Sequence, residues 1–233
     1  METMNIECIR ERHKRESMNN ILLVGQYNMF ILNFIKKWNI YTLVSDNYVK
    51  PKNVFEQYYF DYSSDSINEV ITSCKPDVIL FSGAYDSSYD WDYKNIKSTT
   101  LKYISNLSNI LIASSKQKIK HFIYISSQEV FEDDYIIDIN EDIPVYSKSN
   151  KSIAISLGEN LVSYFSKTRQ METTIARLDN LYGTPQNRND CNDFFSKMCI
   201  DALIKGQMQV DAKKVFSMLY INDATEALFV LIN

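Results

Sequence analysis

Asn20-Ile-Leu-Leu-Val-Gly25 places four apolar residues in succession and closes them with a glycine. A continuous apolar run without polar alternation suits a strand buried on both faces, and a glycine at its end permits a sharp turn. Downstream of this strand the chain alternates. Met29 to Lys37 is apolar and ends in two lysines, as a helix C-terminus favours. Ile40 to Ser45 reads as a second strand, with Asp46 just past it. Tyr58 to Phe60 reads as a third, followed by a helix over Ser64 to Cys74 that Lys75-Pro76 stops. Asp77 to Phe81 is a fourth strand, Leu101 to Ser115 a helix, and His121 to Ser126 a fifth strand ending in Ser126-Ser127. Ser152 to Ser166 is helical, Thr174 to Leu178 a sixth strand, and Asp193 to Lys205 a helix with Gly206 as its stop. A short strand over Leu219 to Ile221 and a helix over Ala224 to Leu231 complete the pattern.

Strands that alternate with helices predict an α/β fold, a doubly wound parallel sheet with helices on both faces. Ligands of such sheets bind outside the carboxyl ends of the strands, where the strand order reverses. Residues 19–233 are expected to form one domain, and residues 1–18, with the run Arg10 to Glu16, an exposed charged tail without the apolar core of a secretory leader.

Composition narrows the function classes. Hydrophobic residues make up 45% of the 233 and charged residues 23%, which excludes an intrinsically disordered chain. A net charge of −4, from 25 basic and 29 acidic side chains, gives no global attraction for nucleic acid or an anionic membrane. The greasiest stretch, Ile21 to Ile35, is interrupted by Gln26, Asn28 and Asn33 and is too short to span a bilayer. Cys8, Cys74, Cys191 and Cys199 form no CxxC pair, and His13 and His121 are the only histidines, so neither a zinc site nor a disulfide framework is expected. Reduced thiols suit a cytoplasmic location.

Only 5 glycines occur, where an average chain of this length has roughly 16. Any nucleotide site must therefore work with one glycine in its turn. Gly25 and Asp46, 21 residues apart, have the layout of a dinucleotide unit, in which an acidic residue accepts from the adenosine ribose. A G-x-x-G-x-x-G spacing from Gly25 would put glycines at positions now held by Asn28 and Ile31. Asn tolerates the left-handed region, but a branched Ile resists close approach of helix to strand. A turn of the same shape that binds nothing is the competing reading.

The strand-end segments taken in order resemble the extended short-chain dehydrogenase/reductases, in particular the NAD-dependent epimerase/dehydratase family. They are Ile21 to Gly25, Lys75-Pro-Asp-Val-Ile79, Lys120 to Phe131, Asn140-Glu-Asp-Ile-Pro144, Gly158-Glu159, Ala176-Arg-Leu-Asp-Asn-Leu-Tyr-Gly183 and Leu219 to Ala224. The resemblance implies a Rossmann-like sheet with a small C-terminal substrate lobe, its elements at about 179–218. Relatives continue beyond the position of Asn233, so an incomplete lobe is expected. It also implies NAD or NADP as cofactor, bound weakly or not at all, with Gly25, Asn28, Asp46, Gly83 and Ala84 at the cofactor positions. A nucleotide sugar is the implied ligand, and a homodimer through the helices at Leu101 to Ser115 and Lys151 to Ser166 the implied assembly. Leu157, Leu161 and Phe165 recur there at helical spacing, which suits core or interface.

The family's chemistry is hydride transfer between a sugar carbon and nicotinamide, with a Tyr as acid/base, a Lys four residues later on the same helical face, and a Ser or Thr. Ser127 falls at the Ser/Thr position. Glu129 matches a glutamate that dehydratases use as a base, although its acidic partner is here Gln128. The Tyr position is Lys151 and the Lys position Ile155. Tyr146 lies five residues upstream without a Lys at i+4. Arg177 and Asn180 match positions under the substrate, and Arg177, at a strand end, also reads as structural. An Arg that grips the nucleotide diphosphate is replaced by Phe216, with Lys213 and Lys214 nearby. The implied function is that of a nucleotide-sugar epimerase/dehydratase relative with impaired catalysis and a binding or partner role. The alternative is an active enzyme that uses Ser127, Glu129 and Lys151.

Overall fold

The structure is a computed structural model that describes residues 20–25, 38–44, 50, 54–59, 63–86, 89–131, 145, 147, 149–183, 194–208 and 217–232. The expected tail, the helix over Met29 to Lys37, and Asn28, Ile31, Asp46, Tyr146, Lys213, Lys214 and Phe216 lie outside the described residues. Six parallel strands form the main sheet: β1 (Asn20–Val24), β2 (Asn39–Val44), β3 (Glu56–Tyr59), β4 (Val78–Phe81), β5 (His121–Ser127) and β6 (Thr173–Leu178). Their order is β3-β2-β1-β4-β5-β6. This is the doubly wound arrangement of a Rossmann-like fold, and its order reverses between β1 and β4.

The apolar runs are buried on both faces, as their continuity predicts. Leu22, Val24, Ile79, Phe81, Phe122 and Tyr124 share one core with Ile67, Ile71, Leu107, Ile110, Ile155 and Val162. Those partners come from helices α1 (Ser64–Cys74), α2 (Ile96–Gln117) and α3 (Asn150–Arg169). The alternate residues Ile21, Leu23, Leu80, Ile123 and Ile125 face a second core with Ile221, Ala224, Leu228 and Ile232. The two-residue period of a strand thus divides each run between two helical layers. Ile221 begins the last helix, α5 (Ile221–Ile232), instead of ending a strand.

Local chemistry sets the helix ends. The Ser63 hydroxyl accepts from the Ser66 N–H at 3.1 Å to open α1. Ser149 and Ser152 form a reciprocal capping box that opens α3. Helices α1, α2 and α3 close on Lys75, Lys118 and Gln170, all in the left-handed region with φ of 42°, 53° and 51°. A short parallel pair, β7 (Asn180–Tyr182) and β8 (Met218–Tyr220), lies outside the main sheet, and the helix α4 (Phe194–Lys205) falls between them in sequence. β7 and α4 lie within residues 179–218, and β8 starts at the end of that segment. The β7 strand is an addition to the sequence reading, because three residues are too few to show a period.

Candidate functional site

The crevice at the order reversal starts at Gly25. Its φ of +96° lies in the left-handed region, and a Cβ there would stand 3.2 Å from Ser82 Oγ and 3.3 Å from the Ser82 carbonyl carbon. Ser82 in turn donates its N–H to the Val24 carbonyl at 2.9 Å and its hydroxyl to the same oxygen at 3.1 Å. The first turn therefore requires glycine for both conformation and space. Gly83 follows β4 and opens a 3-10 turn over Gly83–Tyr85, which carries Ala84. A Cβ on Gly83 would come within 2.6 Å of the Phe81 ring and 2.9 Å of Tyr103, so packing alone dictates that glycine.

The next strand, β5, ends in two serines that point to opposite faces. Ser126 donates to Glu159 Oε1 at 2.5 Å. Glu159, buried on α3, also receives Arg177 Nε at 2.9 Å and Nη2 at 2.8 Å, a two-pronged ion pair. The Arg177 guanidinium lies 4.9 Å from the Phe131 ring centroid. Arg177 is thus held in an ion pair at the end of β6. Asn180 is exposed and donates to the Ser217 carbonyl at 3.1 Å, which ties β7 to the chain entering β8.

Ser127 faces the crevice. Its hydroxyl accepts from the Glu129 N–H at 3.2 Å and lies within hydrogen-bonding reach of the Tyr85 phenol. Lys151, in the first turn of α3, donates to Glu129 Oε1 at 2.6 Å and stands 5.6 Å from the Tyr85 ring centroid. The fold therefore brings Ser127, Glu129 and Lys151 together, from β5, the turn after it, and α3. Burial pushes the Tyr85 phenol well above its ordinary range, Ser127 lowers it, and the negative charges of Glu129 and Asp179 raise it further. Tyr85 is consequently a protonated hydrogen-bonding group at neutral pH. Sequence reasoning missed it because it looks like one more residue of a loop. The available signal was its place just past the end of β4, next to β5 in the sheet.

Ile155 is fully buried, one turn beyond Lys151. Its backbone carbonyl accepts from Tyr124 Oη at 3.0 Å, and Tyr124 Oη lies 2.6 Å from Tyr103 Oη. Burial raises both phenols far above their ordinary value. This pair belongs to the core, where Gly158 makes room for the Tyr124 hydroxyl. Among the described residues there is no cluster of three or more His, Cys, Asp or Glu side chains able to hold a metal ion. Cys74 is buried, its thiol pushed up to about 12 by desolvation, and it is therefore inert. Among the described residues no helix is long and apolar enough to cross a membrane.

The strand order and the crevice at its reversal define a Rossmann-like α/β domain, the class that binds nucleotides at that point. Residues 34–233 match the NAD dependent epimerase/dehydratase family, and the chain belongs to it. No curated protein sequence matches the chain. Among solved structures, UDP-glucose 4-epimerase of Thermotoga maritima with UDP-glucose is similar at a TM-score of 0.75 and 15% identity, over 92% of this chain and 73% of that one. The UDP-glucose 4-epimerase of Thermus thermophilus in complex with NAD gives 0.74 and 16%, over 91% and 73%. UDP-glucuronic acid 4-epimerase of Bacillus cereus, in complex with UDP-glucuronic acid and NAD, gives 0.75 and 17%, over 92% and 73%. At these identities the likeness establishes the fold.

Proposed function

We propose that this protein is a nucleotide-binding member of the epimerase/dehydratase family that takes a dinucleotide or a nucleotide sugar in its crevice without the family's ordinary hydride-transfer acid/base pair. One observation carries the reading. Lys151 stands where the acid/base phenol is expected and is tied to Glu129 at 2.6 Å, while Ile155 offers a buried hydrocarbon where a cation is expected. A lysine side chain is a flexible, cationic donor without the phenol oxygen that the family uses to exchange a proton with a sugar hydroxyl. Ile155 cannot lower a neighbour's pKa or hold a ribose.

A cofactor would sit at the end of the crevice next to β1 and β4. Gly25, at φ +96° with Ser82 and Gly83 packed beside it, makes the sharp turn at the end of β1 beside which a pyrophosphate would lie. Gly83 and Ala84 are the remaining described candidates on that side. Bound NAD or NADP would supply a hydride acceptor. Ser127 and Glu129 would orient a ligand oxygen, and Arg177 would hold the strand end beneath it through Glu159. Asn180 is placed to border the substrate lobe. Calorimetric titration with NAD, NADP and UDP-glucose tests the reading: binding of at least one is expected, and binding of none refutes it.

A second reading rests on the convergence of Ser127, Glu129, Lys151 and Tyr85. It holds that the protein is an active nucleotide-sugar epimerase, dehydratase or reductase with non-standard residues. Turnover of a nucleotide sugar that Lys151→Ala and Glu129→Ala abolish would support it, and turnover that survives both substitutions would refute that assignment. For assembly, a homodimer through α2 and α3 is proposed, because these packed helices carry the exposed side chains Leu101, Ile112, Ile153, Leu157 and Tyr164, whereas Phe165 is buried in the core. Sedimentation as a strict monomer would refute it. A cytoplasmic location follows from the same reading, since the proposed nucleotide ligands are cytoplasmic metabolites and Cys74 and Cys199 are free thiols.

A further inference from the structure

Among the described residues, the Lys151–Glu129 pair is bound on one side only. Among the described residues, Lys151 Nζ has a single hydrogen-bond acceptor, Glu129 Oε1, and Glu129 Oε2 has no donor. An ammonium has three N–H donors and a carboxylate two acceptor oxygens, so the pair keeps donors and an acceptor to offer. Both side chains reach solvent, at 24% and 38% exposure, at the carboxyl edge of the sheet. Behind them the geometry is fixed. The Tyr85 ring lies under the ammonium at 5.6 Å, and Ser127 holds the Glu129 backbone N–H at 3.2 Å.

We infer that Lys151 and Glu129 form a recognition pair for a vicinal diol, held in place by Tyr85. One hydroxyl oxygen of the diol accepts from Lys151 Nζ, and the neighbouring hydroxyl donates to Glu129 Oε2. The two charges cancel, and Asp179 adds negative charge beside Tyr85, so the subsite selects an uncharged polyol over a phosphate or carboxylate. Tyr85 is a positioning residue. It meets the ligand through Lys151, whose ammonium its ring face attracts. The inference rests on the proposed nucleotide-binding function and narrows the part of the ligand that this corner of the crevice takes. Beyond the nucleoside ribose that UDP and ADP already carry, such ligands offer the diol on two further rings, the hexose of a nucleotide sugar and the second ribose of a dinucleotide.

The test is calorimetric titration of the full chain with UDP-glucose against UDP, and with ADP-ribose against ADP, each pair differing by the diol-bearing ring. In the unmodified protein one ring-bearing ligand is expected to bind about tenfold or more tightly than its partner, as two charge-assisted hydrogen bonds allow. Lys151→Met and Glu129→Gln are each expected to reduce that ratio to about twofold or less. The pair of ligands that loses its ratio identifies the source of the diol. Tyr85→Phe keeps the ring under the ammonium and is expected to keep the ratio, whereas Tyr85→Leu is expected to lose it. A ratio unchanged in Lys151→Met and Glu129→Gln, or absent from the unmodified protein while UDP or ADP binds, overturns the diol pair and leaves nucleotide binding standing. UDP-glucuronate bound more tightly than UDP-glucose overturns the selection for an uncharged ring. A ratio retained in Tyr85→Leu overturns the positioning role of Tyr85. Binding of none of these nucleotides overturns the inference together with the function it rests on.

Discussion

Two ion pairs flank the end of β5, and adjacent serines serve them. Ser126 faces Glu159 and Arg177, and Ser127 faces Glu129 and Lys151. The first pair is two-pronged, with Glu159 buried and the guanidinium stacked on Phe131. The second is joined by one side-chain hydrogen bond among the described residues and stays partly exposed. Buried charge demands full pairing, because a lone charge in a low-dielectric interior is costly. Exposed charge tolerates an incomplete set of partners and keeps groups available for a ligand. One strand end therefore carries a buried pair and the partly exposed pair proposed to bind a ligand, separated by the pleat of the sheet.

That contrast can be broken by removing one partner from each pair. Glu159→Ala leaves Arg177 without its carboxylate beneath the sheet and is expected to destabilise the protein by about 3 kcal/mol, read as a lower midpoint in urea denaturation. A loss under about 1 kcal/mol would place this pair in the same class as an exposed one. Gly158→Ala, on the same helix, pushes a methyl against the Tyr124 hydroxyl and 3.2 Å from Leu107 Cδ2. Overpacking of this kind costs about 1–3 kcal/mol, measured the same way. Lys151→Met in the crevice is expected to change stability by less than about 0.5 kcal/mol while altering ligand discrimination, which separates the roles of the two pairs.

The smallest effect is set by pH. His121, at the start of β5, lies 2.9 Å from Thr174 Oγ1, and burial lowers its pKa below the ordinary 6.5. The unfolded chain then binds a proton more readily than the folded one. Stability is accordingly expected to rise with pH from the depressed folded value up to about 6.5 and to level off above it. His121→Gln should flatten that segment of a stability–pH profile. An unchanged slope would show that other groups govern it.

Much of the parallel sheet was legible because strands buried on both faces leave uninterrupted apolar runs. The helix over Ser64 to Cys74 coincides with α1, since a serine cap and Lys75-Pro76 bracket it. The start of α2 was harder to read. Its first turn holds Ser98, Thr99 and Thr100, poor helix formers that Tyr93 to Asn95 lead into through a 3-10 turn. Ser127, Glu129 and Lys151 were legible as candidates, and their convergence follows from the neighbouring ends of β5 and α3. Tyr85 and the Glu159–Arg177 link were not. Each depends on contacts across many residues that no local pattern encodes. Glu159 was legible as a residue of a family-like segment and as a carboxylate on the same helical face as the apolar Ile155 and Val162, but its partner was not.

Helices α1, α2 and α3 end on Lys75, Lys118 and Gln170 in a backbone region where side chains other than glycine are strained by about 1 kcal/mol or more. A chain with 5 glycines has placed few of them at helix ends. Each of these three positions can be exchanged for glycine without touching the crevice. The protein thus holds a reserve of thermal tolerance that evolution or an engineer could draw on, leaving the residues around β5 and the start of α3 free to change.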